Sequence, residues 1–194
     1  MRRMRRGFWV GEFRIETQRL ILREWRDEDL APLHAMCNDL RVMEFLGPLS
    51  TMAEIDEAIA RQRGFQAALG YCYWAVERRV DRAMIGFCGI MPGPEGIPNE
   101  GKPDIGWRLA TQAWGQAFAH EAAAACLNWF WTNQPDDAVW AITVPANVRS
   151  WGLMERLGMA RQPDLDFDHP RVPDGSPLKR HISYRINRPA SVQS

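Results

Sequence analysis

Apolar and polar positions change period at one place in this chain, and that place divides a strand from a helix. Between residues 104 and 109, Ile105, Trp107 and Leu109 alternate with Gly106 and Arg108, the period-two pattern of a half-buried strand. From Gly115 onward, Phe118, Ala122, Cys126, Trp129 and Phe130 recur at helical spacing, which predicts an amphipathic helix reaching about residue 133. Residues 19–25 read as a strand. Asp27 reads as the cap of a helix over 28–38 whose apolar face carries Leu30, Leu33 and Cys37. Thr51 and Glu54 form a capping box ahead of a second helix that ends near Gly70. Residues 71–79 and 83–91 predict a hairpin turned by Val80, Asp81 and Arg82. Dense Pro and Gly mark residues 92–103 as a loop. A strand over 138–144, a helix over 147–157 stopped by Gly158, and strands over 159–167 and 180–187 complete the chain.

The strand, helix and strand between residues 104 and 144 imply a right-handed crossover joining two parallel strands. Hairpins flank them on both sides, so the sheet is expected to be mixed and the fold class α/β (α+β).

Composition narrows the function classes. A length of 194 residues suits one domain with a sizeable core. Basic and acidic residues balance at 24 each, so no global field draws the protein to nucleic acid. No apolar run is long enough to span a bilayer. Cys37, Cys72, Cys88 and Cys126 are widely spaced in apolar segments without a CxxC pair. Free thiols in a reducing, cytoplasmic setting are expected, rather than disulfides or a metal site. Four arginines fall within the first six residues. They fit a nucleic-acid contact or a targeting peptide less well than a loosely docked extension. The expected organisation is a basic extension over 1–15, one domain over 16–188 and a disordered tail over 189–194. The nine tryptophans read mostly as core, with one or two near Trp107 able to line a groove.

At the period change sits Gln112-Ala113-Trp114-Gly115-Gln116-Ala117. Its small residues allow close approach to the backbone, and the first turn of a helix offers unpaired N–H groups and partial positive charge. No Lys-Ser/Thr follows and no GxGxxG is present, so neither a nucleotide P-loop nor a dinucleotide site fits. Two readings stand: a metal-free anion cradle built from backbone, or an ordinary tight turn.

The hexamer resembles the Q/R-x-x-G-x-G/A motif of the GCN5-related N-acetyltransferases (GNAT), with Ala117 in the last small position. Residues 147–158, NVRSWGLMERLG, resemble the family's later N-x-x-S/A…L-G-F/M helix. Residues 17–47, with the tail from Phe167-Asp168-His169-Pro170 to Tyr184, resemble the RimJ/RimL-type branch. The resemblance spans about residues 16–187 and implies a mostly antiparallel sheet of about six or seven strands with a splayed parallel central pair and about four helices on both faces. It implies acetyl-CoA as co-substrate. Main-chain groups of Trp107, Arg108 and Leu109 would bond the pantetheine as an added strand does. Gln112, Ala113, Trp114, Gly115, Gln116 and Ala117 would hold the pyrophosphate, and Asn147 would lie near the thiol end. The helices over 28–38 and 51–70 would flank the acceptor groove, so residues 43–49 would bear on substrate choice.

Many family members place a Tyr seven residues after the Asn as proton donor to the leaving sulfur, and here that position is Met154. Asn147, Ser150 and Met154 share one helix face. Ser150 is therefore the candidate donor, the alternative being a packing or back-bonding serine. Asp104 and His169 are the candidate bases; His169 has the suitable intrinsic pKa but suits a locally bonded turn better than catalysis. Neither shows a tuning partner in the sequence. A site without a strong base suits α-amines, with pKa about 7.7–8.0, better than lysine. The expectation is an acyl-CoA-dependent N-acetyltransferase, monomeric or homodimeric, acting by direct attack of a primary amine from a protein N-terminus or a small molecule. The alternative is a non-catalytic acyl-CoA-binding or interaction protein.

Overall fold

The computed structural model describes residues 13–190. The arginine-rich start, over 1–12, and residues 191–194 of the expected tail lie outside the described residues. Nine strands run in chain order: β1 (Arg14–Glu16), β2 (Leu20–Arg23), β3 (Tyr73–Arg78), β4 (Met84–Pro92), β5 (Pro103–Leu109), β6 (Ala138–Thr143), β7 (Ala160–Arg161), β8 (Phe167–Asp168) and β9 (Arg180–Asn187). Their spatial order is β1-β2-β3-β4-β5-β6-β9-β7, with β8 beside β9. Of these pairings β5–β6 alone is parallel; the rest are antiparallel. The helices are α1 (Leu30–Cys37), α2 (Leu40–Met43), α3 (Met52–Leu69), α4 (Phe118–Asn133) and α5 (Val148–Arg156). No described helix is long and apolar enough to cross a membrane.

Alternation along β3 divides the core. Trp74 and Val76 pack with Leu20, Leu22, Cys88, Ile90 and the α4 residues Phe118, Ala122, Cys126 and Phe130. Ala75, on the other side, packs with Trp25 and with Leu33, Cys37, Ile55 and Ile59 from α1 and α3. Helices thus cover both faces, as the period-two pattern of β3 requires. Small side chains at Ala122, Ala123 and Cys126 let α4 lie close to the sheet.

Several boundaries differ from the sequence reading. Asp27 does not cap α1. A 3-10 turn (Asp27–Asp29) precedes the helix, and Asp29 accepts the Arg26 N–H at 2.8 Å. The buried Arg23 guanidinium selects Asp29, bonding both of its oxygens, while exposed Asp27 pairs with Arg63. The expected strand over 159–167 breaks into β7, a 3-10 turn (Pro163–Leu165) and β8. Pro163 cannot donate to a ladder, and Ser183 Oγ bonds the Leu165 carbonyl at 2.8 Å to hold the turn. Phe13 stacks on Trp74 at 4.5 Å, and β1 pairs with β2, so the packed region begins before residue 16. Thr51 and Glu54 do form the capping box of α3.

Candidate active site

The parallel pair is barely a pair. β5 and β6 share a single register position, Asp104 with Trp140, whereas β4–β5 pairing runs from Pro92–Pro103 to Gly86–Leu109. Beyond Asp104 the two strands splay and leave an edge of β5 free. Ala110 N–H donates to the Ile85 carbonyl on β4 at 2.9 Å. Antiparallel alternation then turns the main-chain groups of Arg108 toward β4 and those of Trp107 and Leu109 toward the gap. The Trp114 indole N–H already occupies the Leu109 carbonyl, at 2.8 Å. Both main-chain groups of Trp107 and the Leu109 N–H therefore face the wedge. Arg108 departs from its expected place, because its main chain serves the sheet.

The hexamer after β5 begins as a 3-10 turn (Thr111–Ala113) and ends at the start of α4, at Phe118 rather than Gly115. Gly115 and Ala117 both adopt left-handed conformations, with φ 72 and 60. A Cβ built on Gly115 would meet open space, and no side chain caps α4. An outward-facing helix start with room before it fits an anionic group. The glutamines shape the loop: Gln116 Nε2 donates to the Gln112 carbonyl at 2.9 Å. Ala113 is buried beneath it. Two arginines that the sequence does not single out brace the hexamer. Arg19 donates to the Gln116 carbonyl at 3.0 Å and to Glu121 at 2.7 Å. Arg149, on α5, lies 4.6 Å over the Trp114 ring and so sets the first turn of α5 against this loop. Neither stands out in sequence, because each acts on a residue far away along the chain.

Asn147 is the N-cap of α5, its Oδ1 accepting the Ser150 N–H at 3.3 Å. Its amide nitrogen has no protein partner among the described residues. Ser150 is half-buried, and its Oγ makes no hydrogen bond among the described residues. Met154 is buried in the core under α4, which leaves Ser150 as the hydroxyl on that helix face.

On β5, Asp104, Gly106 and Arg108 face the α1–α3 side. There a cavity of about 370 Å³ is floored by Tyr73, Phe87 and Arg108 and walled by Leu33 and Cys37 of α1 and Ile55 of α3. Tyr73 stacks on Phe87 at 5.5 Å and reaches over Gly106, where an added Cβ would lie 2.8 Å from its hydroxyl. Glycine at 106 is what lets that ring lie on the strand. Asp104 is buried and accepts from Asn99 Nδ2 at 2.5 Å. Burial raises its carboxyl to about 7, against the lowering effect of the Asn99 bond. The sequence shows no tuning partner for Asp104; the structure supplies one from the Pro/Gly-rich loop. Burial, then the nearby Asp104 charge, raises the Tyr73 hydroxyl well above its ordinary range.

His169 follows β8 in the chain. Its Nδ1 accepts the Arg171 N–H at 3.2 Å and its ring packs 4.8 Å from His181, an arrangement of a turn residue. Burial, with the positive neighbours His181, Arg171 and Lys179, lowers its pKa. No hydrogen bond or ring contact among the described residues joins it to Asp104 or Ser150.

Residues 19–160 match the acetyltransferase (GNAT) domain. YkkB of Bacillus subtilis (strain 168) is 29% identical over 147 residues, covering 75% of this chain and 84% of YkkB. Among solved structures, a GNAT-family acetyltransferase from Bacillus anthracis superposes with TM-score 0.75 at 20% identity, covering 91% of this chain and 99% of the other. RimL, a ribosomal alpha-N-protein acetyltransferase solved with coenzyme A, superposes with TM-score 0.73 at 13% identity, covering 90% of this chain and 98% of RimL. The solved structures share the fold, RimL-type examples included. With the domain match spanning most of the sheet and both helical layers, the chain belongs to the GNAT acetyltransferase family.

Proposed function

We propose that this protein moves an acetyl group from acetyl-CoA to the nitrogen of a primary amine. The observation that carries the reading is the two-sided use of β5. Its free edge at Trp107 and Leu109 opens into the wedge with β6, and on its other face Arg108 floors the cavity under α1 and α3. An acyl carrier and an amine can therefore reach the same strand from two sides.

Acetyl-CoA, when bound, supplies the acetyl group as a thioester whose sulfur departs as a thiolate. Trp107 and the Leu109 N–H hold the pantetheine amides in the manner of an added strand. Gly115 to Ala117 and the first turn of α4 receive the pyrophosphate. The Asn147 amide nitrogen, free of protein partners among the described residues, orients the thiol end. Asp104, poised near neutrality, takes the proton that the ammonium must lose before it can attack. As the N–C bond forms and the C–S bond breaks, the free Ser150 hydroxyl protonates the departing sulfur and regains a proton from the new amide nitrogen through solvent.

The test is free-thiol release from acetyl-CoA with a panel of small amines and peptides. Turnover with an amine supports transfer. Met154 at the usual tyrosine position favours a second reading, an acyl-CoA-binding protein without catalysis. Calorimetric binding of acetyl-CoA with no thiol release for any amine would select that one.

A further inference from the structure

We infer that the acceptor is a small amine carrying a carboxylate on an aromatic or apolar body, and that Arg108 binds the carboxylate. The inference rests on the acetyl-transfer reading and names its substrate class. Arg108 is half-buried on the floor of the cavity. Its Nη1 donates to Cys37 Sγ at 3.1 Å, its guanidinium lies 5.3 Å from the Phe87 ring, and its Nε is buried with no partner. Among the described residues no carboxylate pairs with it. Arg23, the most deeply buried arginine among the described residues, is bonded by both Asp29 and Glu77, whereas Arg185, half-buried with an unpartnered Nε of its own, lies over the Trp140 ring outside this cavity. A guanidinium taken partly out of water and given only a thiol and a ring lacks the anion that would offset its desolvation. Its planar donor fork suits a carboxylate in particular.

The apolar part of the lining sets the body of the ligand. Trp25, Tyr73 and Phe87 supply aromatic surface, and Leu33 and Ile55 supply aliphatic surface. Ser50, Glu54, Glu57, Arg61 and Gln62 make the rest of the lining polar. The volume, about 370 Å³, is that of a small-molecule site. A protein N-terminus brings a long chain and no carboxylate next to its amine, so it leaves Arg108 unanswered. An amine that also bears a carboxylate answers it.

Paired acceptors that differ only in the carboxylate test this: phenylalanine against phenethylamine, and para-aminomethylbenzoate against benzylamine. In at least one pair the acid should be favoured in kcat/KM by about 10- to 100-fold. Arg108→Met should bring that ratio toward one, and Arg108→Lys should restore part of it. Equal or better use of the neutral member in both pairs, or a ratio that survives Arg108→Met, would overturn the assignment. Calorimetry with N-acetylphenylalanine or N-acetylated para-aminomethylbenzoate needs no turnover. At least one should bind about tenfold or more weakly to Arg108→Met, while acetyl-CoA binds as before. Loss of acetyl-CoA affinity instead would place Arg108 with the co-substrate and also overturn it. If no amine releases thiol yet the calorimetric difference holds, the carboxylate subsite stands and the transfer reading fails.

Discussion

Asn99 donates to the carboxylate of Asp104 at 2.5 Å, and the two side chains are only 1% and 6% exposed. The bond favours the charged form, yet burial prevails and raises the carboxyl to about 7. The folded chain therefore holds this proton more tightly than the unfolded chain, where the pKa is about 3.9. Folding stability from this group is unimpaired below about pH 4 and falls as pH rises to about 7, by up to about 4 kcal/mol. Asp104→Asn keeps the shape and removes the charge. Its Tm should exceed that of the unmodified protein at pH 8, with the gap closing toward pH 4. In kcat/KM, an acid limb near pH 7, where activity falls as Asp104 takes up its proton, should be present in the unmodified protein and absent from the variant. A limb that persists in Asp104→Asn would remove Asp104 as the base. A base of this pKa also weakens the sequence-based preference for α-amines, since it can deprotonate less acidic ammonium groups.

Gly115 has φ 72, and a side chain built there points into open space before α4. Gly115→Glu should therefore fold, with about 1 kcal/mol lost to the left-handed backbone. Its carboxylate would stand where the pyrophosphate is proposed to lie, so acetyl-CoA affinity should fall by more than about tenfold. Calorimetry without added metal, alongside thermal melting, separates the two effects. Unchanged affinity in a folded variant would refute the cradle.

Features carried by neighbours along the chain are legible from the amino-acid order alone. The switch from the alternation of Ile105, Trp107 and Leu109 to the helical spacing of Phe118 and Ala122 needs only local periodicity, and so does the Thr51–Glu54 box. Choices made by distant partners are not legible in that way. Asp27 and Asp29 are equal as caps until Arg23 and Glu77, from two strands, select Asp29. Arg108 reads in sequence as one more residue of the cofactor strand, because alternation alone does not say which residues bond β4. Arg19 holds the Gln116 carbonyl from 97 positions away. Helix α2, with four residues, is too short to show a period. Burial of Asp104 against Asn99 is a tertiary fact, and the composition of residues 92–103 marks only a loop.

Arg23 joins Asp29 and Glu77 beneath the sheet edge, each at 2.7 Å, and all three are nearly inaccessible. Burial lowers the affinity of its guanidinium for the proton, but the bonds to the two carboxylates outweigh that and raise it. Arg23→Met would leave two buried carboxylates short of their cation. We expect a loss of about 3–5 kcal/mol in chemical denaturation at pH 7. A loss below about 1 kcal/mol would mean that Arg26 and Arg82, which also reach Glu77, already satisfy the cluster.

Asn147 and Ser150 occupy one helix start but should fail in different ways when altered. Asn147 Oδ1 caps α5 through the Ser150 N–H, at 3.3 Å, so Asn147→Ala should cost about 1 kcal/mol of stability. The Ser150 Oγ takes no part in that cap, and Ser150→Ala should leave Tm almost unchanged. Proton donation to a departing thiolate is needed only in the transition state. Ser150→Ala should therefore lower kcat by roughly 10²–10⁴ with little change in acetyl-CoA affinity. Because the lost step is protonation of the leaving group, an acyl donor with a more acidic thiol should narrow the deficit. Stability, kcat and donor dependence measured together distinguish a proton donor from a packing residue. An unaltered kcat, with pre-steady-state kinetics showing chemistry to be rate-limiting, would return Ser150 to the scaffold and leave α5 without an acid.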